Sequence, residues 1–262
     1  MYLKTNTKQT YAYTGAREHR KGLESVVFVH GTGMDHTVWV LPARYFARHG
    51  FNVLATDLPG HGRSEGPPPE TIEAMSDAVL AAMDSAKIRT AALVGHSMGS
   101  LVALALAARY PERARSLALI GTAVPMAVHK ALLSNAASDD HGAIEMLTYW
   151  GYSKAAQLGG NENPGISMMM SGQRLLEASR EDVFFADLKA CNEFTNSLEL
   201  AEQITIKTLV FVGDQDQMTT PVKALKVAES IPNCEVIYLS PAGHAMFSEH
   251  PNAVLDGLIK II

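Results

Sequence analysis

The stretch Thr90-Ala91-Ala92-Leu93-Val94-Gly95-His96-Ser97-Met98-Gly99-Ser100-Leu101 decides the fold. Thr90 to Val94 reads as a strand, and Ser97 to Arg109, rich in alanine and leucine, reads as a helix of strong propensity. A strand that runs directly into a helix must turn sharply, and the residue at the apex is held in a strained conformation. Gly95 and Gly99 flank that apex because a Cβ there would strike neighbouring backbone. The apex side chain, Ser97, is pushed out above the sheet, with the free N–H groups of a helix N-terminus behind it. Chance alone supplies Gly-x-Ser-x-Gly in about one chain in ten of this length. The strand–turn–helix setting is therefore what carries the argument. P-loops share that setting, but no lysine follows here to hold a phosphate.

Outward from this turn the same rhythm recurs. Ser25 to Val29 is a continuous β-branched run, as expected of a strand buried on both faces of a parallel sheet, and it ends at His30-Gly31-Thr32-Gly33. A helix is expected from about Thr37 to His49 with Gly50 as its stop, then a strand over Phe51–Thr56. Thr71 is the expected N-cap of a helix reaching Lys87, and Ser116–Ile120 the next strand. Short β-rich pieces near Tyr2–Thr5 and Thr10–Thr14 precede all of these. Strands alternating with helices imply βαβ units and a mostly parallel sheet flanked by helices, an α/β fold. The rhythm breaks from Val124 to Gln203, where helical pieces appear without a convincing buried strand. That stretch is too long for a plain loop, so residues 124–203 are expected to form an inserted helical cap and residues 1–123 with 204–262 the core. Strand and helix resume with Thr208–Val212, Pro221–Ile231, Glu235–Leu239 and Asn252–Ile262.

Composition narrows the function classes. The 262 residues carry 22 Lys plus Arg against 27 Asp plus Glu, a net charge of −5, which disfavours binding to nucleic-acid phosphates. Hydrophobic residues at 47% suit a large core. The longest apolar run, Leu101–Ala108, is too short to span a bilayer, and the first residues lack an apolar signal core. No membrane partner and a cytoplasmic location are expected. Cys191 and Cys234 form no metal-ligand or disulfide pattern and read as two reduced, largely buried thiols.

Serine is a weak nucleophile and needs a base. His244, in Pro241-Ala242-Gly243-His244-Ala245, follows a strand and can reach the carboxyl edge of the sheet, where Ser97 stands. His19, His36, His49, His129 and His141 are expected at the surface, His250 in solvent or capping, and His61 and His96 in structural hydrogen bonding. The base needs an orienting carboxylate, for which Asp216 of Gly213-Asp214-Gln215-Asp216 is favoured, with Asp214 as a loop-stabilising Asx-type residue. An oxyanion would be met by the backbone N–H of Met98 and of Thr32, whose flanking glycines allow close approach. Met126, Met146, Trp150, Met169, Met218 and Met246 are candidates for an apolar, adaptable substrate pocket, though any one methionine can equally be core filler.

His30-Gly31-Thr32-Gly33, Asp57-Leu58-Pro59-Gly60-His61-Gly62-Arg63-Ser64, the Gly-His-Ser-Met-Gly turn, Gly-Asp-Gln-Asp with Pro221, and Ala242-Gly243-His244 follow in one order. In this the chain resembles the α/β-hydrolase superfamily over nearly its whole length. It looks most like small bacterial carboxylesterases, a group that includes pimeloyl-carrier-protein methyl esterases, enol-lactonases and carbon–carbon bond hydrolases. The resemblance implies the hydrolase fold, a helical cap, the Ser97-Asp216-His244 triad in that order and no cofactor; it does not fix the substrate, because caps diverge, and a small-molecule ester is the expectation. Halide-releasing relatives would carry aspartate where Ser97 stands. A lactonase or carbon–carbon hydrolase would use the same triad. A cofactor-free perhydrolase or a ligand receptor on this fold is the remaining alternative.

Overall fold

The β-branched runs fold into one sheet of eight strands in the computed structural model, which describes residues 1–5, 8–160, 162 and 165–262. In chain order the elements are β1 (Tyr2–Thr5), β2 (Lys8–Tyr13), β3 (Ser25–Val29), α1 (Val40–Arg48), β4 (Asn52–Thr56), α2 (Ile72–Ser85), β5 (Ala91–His96), α3 (Met98–Arg109) and β6 (Ala114–Ile120). Six helices follow: α4 (Lys130–Ala137), α5 (Gly142–Trp150), α6 (Lys154–Gln157), α7 (Met168–Glu177), α8 (Val183–Glu193) and α9 (Ser197–Glu202). The chain closes with β7 (Thr208–Gly213), α10 (Pro221–Ser230), β8 (Cys234–Leu239), α11 (Met246–Glu249) and α12 (Pro251–Ile261). The strand order is β1-β2-β4-β3-β5-β6-β7-β8; β3 to β8 run parallel, and β1 and β2 pair antiparallel at one edge.

Alternation along each central strand divides the core in two. Val27 and Val29 of β3 join Leu93, Met75 and Leu101 on the face covered by α2 and α3. Val26 and Phe28 join Trp39, Phe46, Phe211 and Leu258 on the face covered by α1 and α12. Strands β3, β4, β5 and β7 are buried along their whole length, which is why their centres read as continuous apolar runs. Thr71 caps α2 through a hydrogen bond from the Ala74 N–H, as its sequence position implies. Between β6 and β7 no strand lies among the described residues, and no helix is long and apolar enough to cross a membrane.

Three expectations need correction. The helix expected from Thr37 opens instead with a 3-10 turn, His36–Trp39, capped by Asp35, before α1 begins. His36 is buried rather than exposed: its Nδ1 lies 2.8 Å from Asp57 Oδ1 and its ring packs on Tyr11 and Tyr13 of the antiparallel edge. Nothing local in the sequence marks that contact, which depends on strand β2 closing over the loop. Of the two free cysteines only Cys191 is fully buried; Cys234 is half-buried because β8 is the edge strand.

Candidate active site

Four strand-end loops meet above the carboxyl edge of the sheet. After β5 the backbone of Ser97 takes φ 53 and ψ −122, an unusual conformation for a residue with a side chain. Only glycines fit on either side: a Cβ on Gly95 would stand 2.1 Å from Gly99 O, and one on Gly99 2.3 Å from Val29 O. Ser97 N–H donates to Ile120 O at 2.9 Å, and Ser97 O accepts from both the N–H (2.8 Å) and the hydroxyl (2.6 Å) of Ser100. The turn is therefore fixed at both of its peptide groups, with the Ser97 side chain facing a cavity.

His244, in the loop after β8, lines the same cavity. Its Nδ1 lies 2.8 Å from Asp216 Oδ2, and both side chains are almost wholly buried. Asp216, in the loop after β7, is fully engaged. Oδ1 accepts the N–H groups of Met218 and Thr219, each at 2.8 Å, and Oδ2 accepts the Thr219 hydroxyl at 2.6 Å as well as His244. Burial alone would raise the carboxyl pKa, but the charge of His244 and the hydrogen bonds from His244 and Thr219 hold it below the usual carboxylate value. An ionised Asp216 accepts a hydrogen bond from Nδ1–H, so in the neutral imidazole Nε2 carries the lone pair. That Nε2 is buried and has no hydrogen-bond partner among the described residues.

The loop His30–Gly33 follows β3 and brings Thr32 to the cavity wall. Among the described residues neither the Thr32 N–H nor the Met98 N–H has an acceptor. The cavity measures about 830 Å³. Met126, Leu132, Trp150, Leu188, Cys191 and Met218 give it apolar walls. Lys130 and Lys223 also line it, and neither has an ion-pair partner among the described residues.

The structure thus brings Ser97, His244, Thr32, Met126, Trp150 and Met218 to one cavity, with Asp216 behind His244 and the Met98 side chain buried in the core below. It does not bring the other three pocket candidates there. Met246 is 0% exposed among Phe28, Trp39 and Phe211, because the first turn of α11 faces the core side of the sheet. Met146 packs inside the helical insertion against Leu132 and Leu147. Met169 packs with Tyr152, Ala156, Met168 and Ala245 on another side of it. The Asx geometry belongs to Asp216, whereas Asp214 reaches out to the Ser240 hydroxyl and the Ala242 N–H of the neighbouring loop.

Sequence reasoning missed several groups. Thr219 is one, although a threonine three residues after an aspartate is a local turn signal. Glu249 is another: its Oε1 accepts the Gly243 N–H at 2.9 Å and its Oε2 the Ser153 N–H at 3.2 Å, tying the His244 loop to the insertion. Asp187 of α8 is a third, bonded to His61 and Gly33. No sequence signal marks those long-range pairs. His96 is buried, lies 3.1 Å through Nε2 from the His244 carbonyl, and is neutral because burial, then the neighbouring His244, push its pKa down to about 3. Asp35, His36 and Asp57 are close enough together to suggest a cation site, but Asp57 already accepts the His36 N–H, His36 Nδ1 and the Arg63 N–H, and Asp35 accepts from Thr37. That network supports the loop between β4 and α2.

Residues 26–256 match the α/β-hydrolase family. The chain belongs to that family. It is 28% identical over 242 residues, 88% of this chain and 74% of the relative, to a pimeloyl-[acyl-carrier protein] methyl ester esterase of Neisseria meningitidis. Among solved structures it superposes on an enol-lactonase from Burkholderia xenovorans with a TM-score of 0.87 at 23% identity, covering 99% of this chain and 98% of that one. It also superposes on an N-acyl homoserine lactone degrading enzyme with a TM-score of 0.85 at 21% identity, each chain covered completely. Those two likenesses establish a shared α/β-hydrolase fold.

Proposed function

We propose that this α/β hydrolase is a serine carboxylesterase acting on small to medium acyl esters, with Ser97 as nucleophile, His244 as base, Asp216 as orienting carboxylate and residues 124–203 as a cap over the site. The observation that carries the reading is His244 Nε2, a buried acceptor with no partner among the described residues in the loop that lines the same cavity as Ser97, while Nδ1 is committed to Asp216. An unpaired buried polar atom is costly and calls for an explanation, and a role in the chemistry supplies one for an atom that faces the cavity.

In the forward step Nε2 takes the Ser97 proton as Oγ attacks the ester carbonyl. The carbonyl electrons move to oxygen, and the resulting anion accepts hydrogen bonds from the Thr32 and Met98 N–H groups, which have no acceptor among the described residues. The imidazolium, stabilised by ionised Asp216, gives its proton to the leaving alkoxide. Water then attacks the acyl-enzyme with His244 again as base, releasing the acid and restoring Ser97. The apolar walls at Met126, Trp150 and Met218 would seat the acyl group. The methyl ester esterase named above, at 28% identity, supports ester hydrolysis as the reaction type.

The test is initial-rate hydrolysis of p-nitrophenyl esters from short to long acyl chains, alongside simple lactones, with Ser97→Ala as the blank. Ser97-dependent turnover that peaks at short or medium chains supports the reading. Turnover confined to lactones moves the assignment to a lactonase, and turnover unaffected by Ser97→Ala overturns the mechanism.

A further inference from the structure

The loop that carries the Thr32 amide is pinned from two directions, and one pin comes from the cap. In a trans peptide the C=O and N–H point opposite ways. Gly31 O accepts from the Met34 N–H at 3.1 Å and from His30 Nδ1 at 2.9 Å, which sets the direction of the Thr32 N–H in the same peptide plane. His30 donates from Nδ1 because its Nε2 accepts the Leu58 N–H at 3.1 Å. Burial, then the neighbouring His61, lower the His30 pKa to about 4, so the ring stays neutral. The next peptide plane, between Thr32 and Gly33, is held from outside the loop. Its N–H donates to Asp187 Oδ2 at 2.8 Å, and Asp187 stands on α8, 154 residues further along the chain.

The same Asp187 oxygen lies 2.9 Å from His61 Nε2, and His61 Nδ1 lies 3.0 Å from the Pro59 carbonyl. Both partners only accept, so both ring nitrogens carry protons and His61 is an imidazolium. Burial would lower its pKa, but the charge of Asp187 and the hydrogen bond to it raise it. Asp187 and His61 are therefore an ion pair with both side chains 0% exposed, one member on the cap and one on the core. Buried ion pairs contribute little net stability over apolar residues of similar size. What this pair does supply is geometry at Gly33.

We propose that Asp187 is a positioning residue: from the cap it fixes the Thr32–Gly33 peptide, the plane on the far side of Thr32 from the one Gly31 O holds, so that with α8 seated on the core the Thr32 N–H is held toward the developing oxyanion from both neighbouring peptides. The inference rests on the esterase reading given above.

The test compares Asp187→Ala, Asp187→Asn and the double variant Asp187→Leu/His61→Phe. The double variant removes the Gly33 anchor without leaving a lone buried charge, a swap that buried ion pairs tolerate. Readouts are kcat and KM on one p-nitrophenyl ester and the inhibition constant of an alkylboronic acid, whose tetrahedral adduct with Ser97 places a negative oxygen where the oxyanion forms. Asp187→Ala and the double variant are expected to lose roughly 10- to 100-fold in kcat with KM within about threefold, and boronate affinity should fall in step. Asp187→Asn, whose amide oxygen still accepts the Gly33 N–H, is expected to stay within about fivefold of the parent. A purely structural role would lower Tm and leave kcat and boronate affinity together near parental values. The inference is overturned if the folded double variant keeps kcat within about threefold, if KM alone rises, or if Asp187→Asn is as poor as Asp187→Ala. A parent inert toward every ester and lactone would overturn the esterase reading and this inference with it, whereas an active parent with indifferent Asp187 variants overturns this inference alone.

Discussion

Replacing Gly121 with alanine puts the position of the His244 ring to a quantitative test. Gly121 follows β6 with φ +60, and a Cβ there would stand 2.9 Å from both Cε1 and Nδ1 of His244. Carbon atoms in contact settle at about 3.5 Å or more, so the ring must retreat by roughly 0.6 Å. It can do so only by loosening the 2.8 Å bond to Asp216 and turning Nε2 away from Ser97. A 1 Å misplacement of a catalytic group costs on the order of 100-fold, so 0.6 Å implies roughly a tenfold or larger loss in kcat/KM, about 1.4 kcal/mol. The alanine also enters left-handed backbone, which costs about 1–2 kcal/mol of stability and lowers Tm by roughly 2–8 °C in a chain of this size. Gly22→Ala separates the two effects. Gly22 has φ +88 with nothing within 4 Å of its would-be Cβ, so it carries the strain without the collision. Initial rates on a p-nitrophenyl ester and thermal melts of both variants decide the matter. Both should lose stability and only Gly121→Ala should lose activity. A Gly121→Ala enzyme with kcat/KM within about twofold of Gly22→Ala would refute the argument, since a displaced base cannot leave the rate unchanged.

Asp216→Asn should fold normally and lose on the order of 10⁴ in kcat, the loss seen when a triad carboxylate becomes an amide and the imidazole takes the wrong tautomer; a loss below about tenfold would remove Asp216 from the mechanism. Met218→Ala opens the cavity wall and should move the chain-length optimum toward longer acyl groups, whereas Met246→Ala should cost about 2–5 kcal/mol in a denaturant melt and leave the optimum in place. If Met246→Ala shifts the optimum instead, the placement of Met246 in the core is wrong. Acid should destabilise the fold well before the carboxylates titrate. His30 and His96 have pKa values of about 4 and 3 in the folded protein against about 6.5 unfolded, so the unfolded chain binds more protons below pH 6.5 and stability falls with pH. At pH 5 the two together account for a loss of ~4 kcal/mol. His61 has the opposite sign: its raised pKa adds stability that persists in acid and is lost only as the pH climbs through the raised value. Melts between pH 4.5 and 7.5 test this, and a Tm flat from pH 6.5 to 4.5 would count against it.

The fold was legible where geometry forces residue type. Strands β3, β4, β5 and β7 lie inside the sheet with both faces covered, so their central residues, Val26–Val29, Val53–Ala55, Ala91–Val94 and Leu209–Val212, must be apolar. The Ser97 turn leaves no room for a Cβ at positions 95 and 99, so the two glycines announce it. The cap was not legible in the same way. Met168, Met169 and Met170 are adjacent in sequence, yet a helix turns about 100° per residue and they end up buried, half-buried and 47% exposed. Composition shows that such a segment holds methionine; only the packing of α4, α5, α7 and α8 shows that Met126 and Met218 face the cavity and Met146 and Met169 do not. His36 failed for a similar reason, because its burial is made by Tyr11 and Tyr13 from a strand more than twenty residues away.

The missed carboxylates share a location that bears on how such a site can change. Asp187 crosses from the cap to the Gly33 amide of the core, and Glu249 in the core receives the Ser153 amide of the insertion together with Gly243, next to His244. Each of the two loops that would handle the reacting carbonyl and the proton is thus bonded across the seam by a buried acid. An amide that loses such an acceptor inside the protein is left unsatisfied, at a cost of about 1–3 kcal/mol, unless water or another group replaces it. Exchanging Met126 or Trp150 for another apolar side chain changes the cavity wall and the packing behind it, since Met126 sits in the main core and Trp150 in the core of the insertion, but breaks no hydrogen bond across the seam. It is not free to exchange α8 as a whole, because Leu188 and Cys191 line the cavity on the same helix whose Asp187 anchors the core loop. On the proposed reading, substrate preference and catalytic geometry meet in that single helix, so replacements of the insertion that keep an acceptor at the Asp187 position should retain kcat even when they change which ester is hydrolysed.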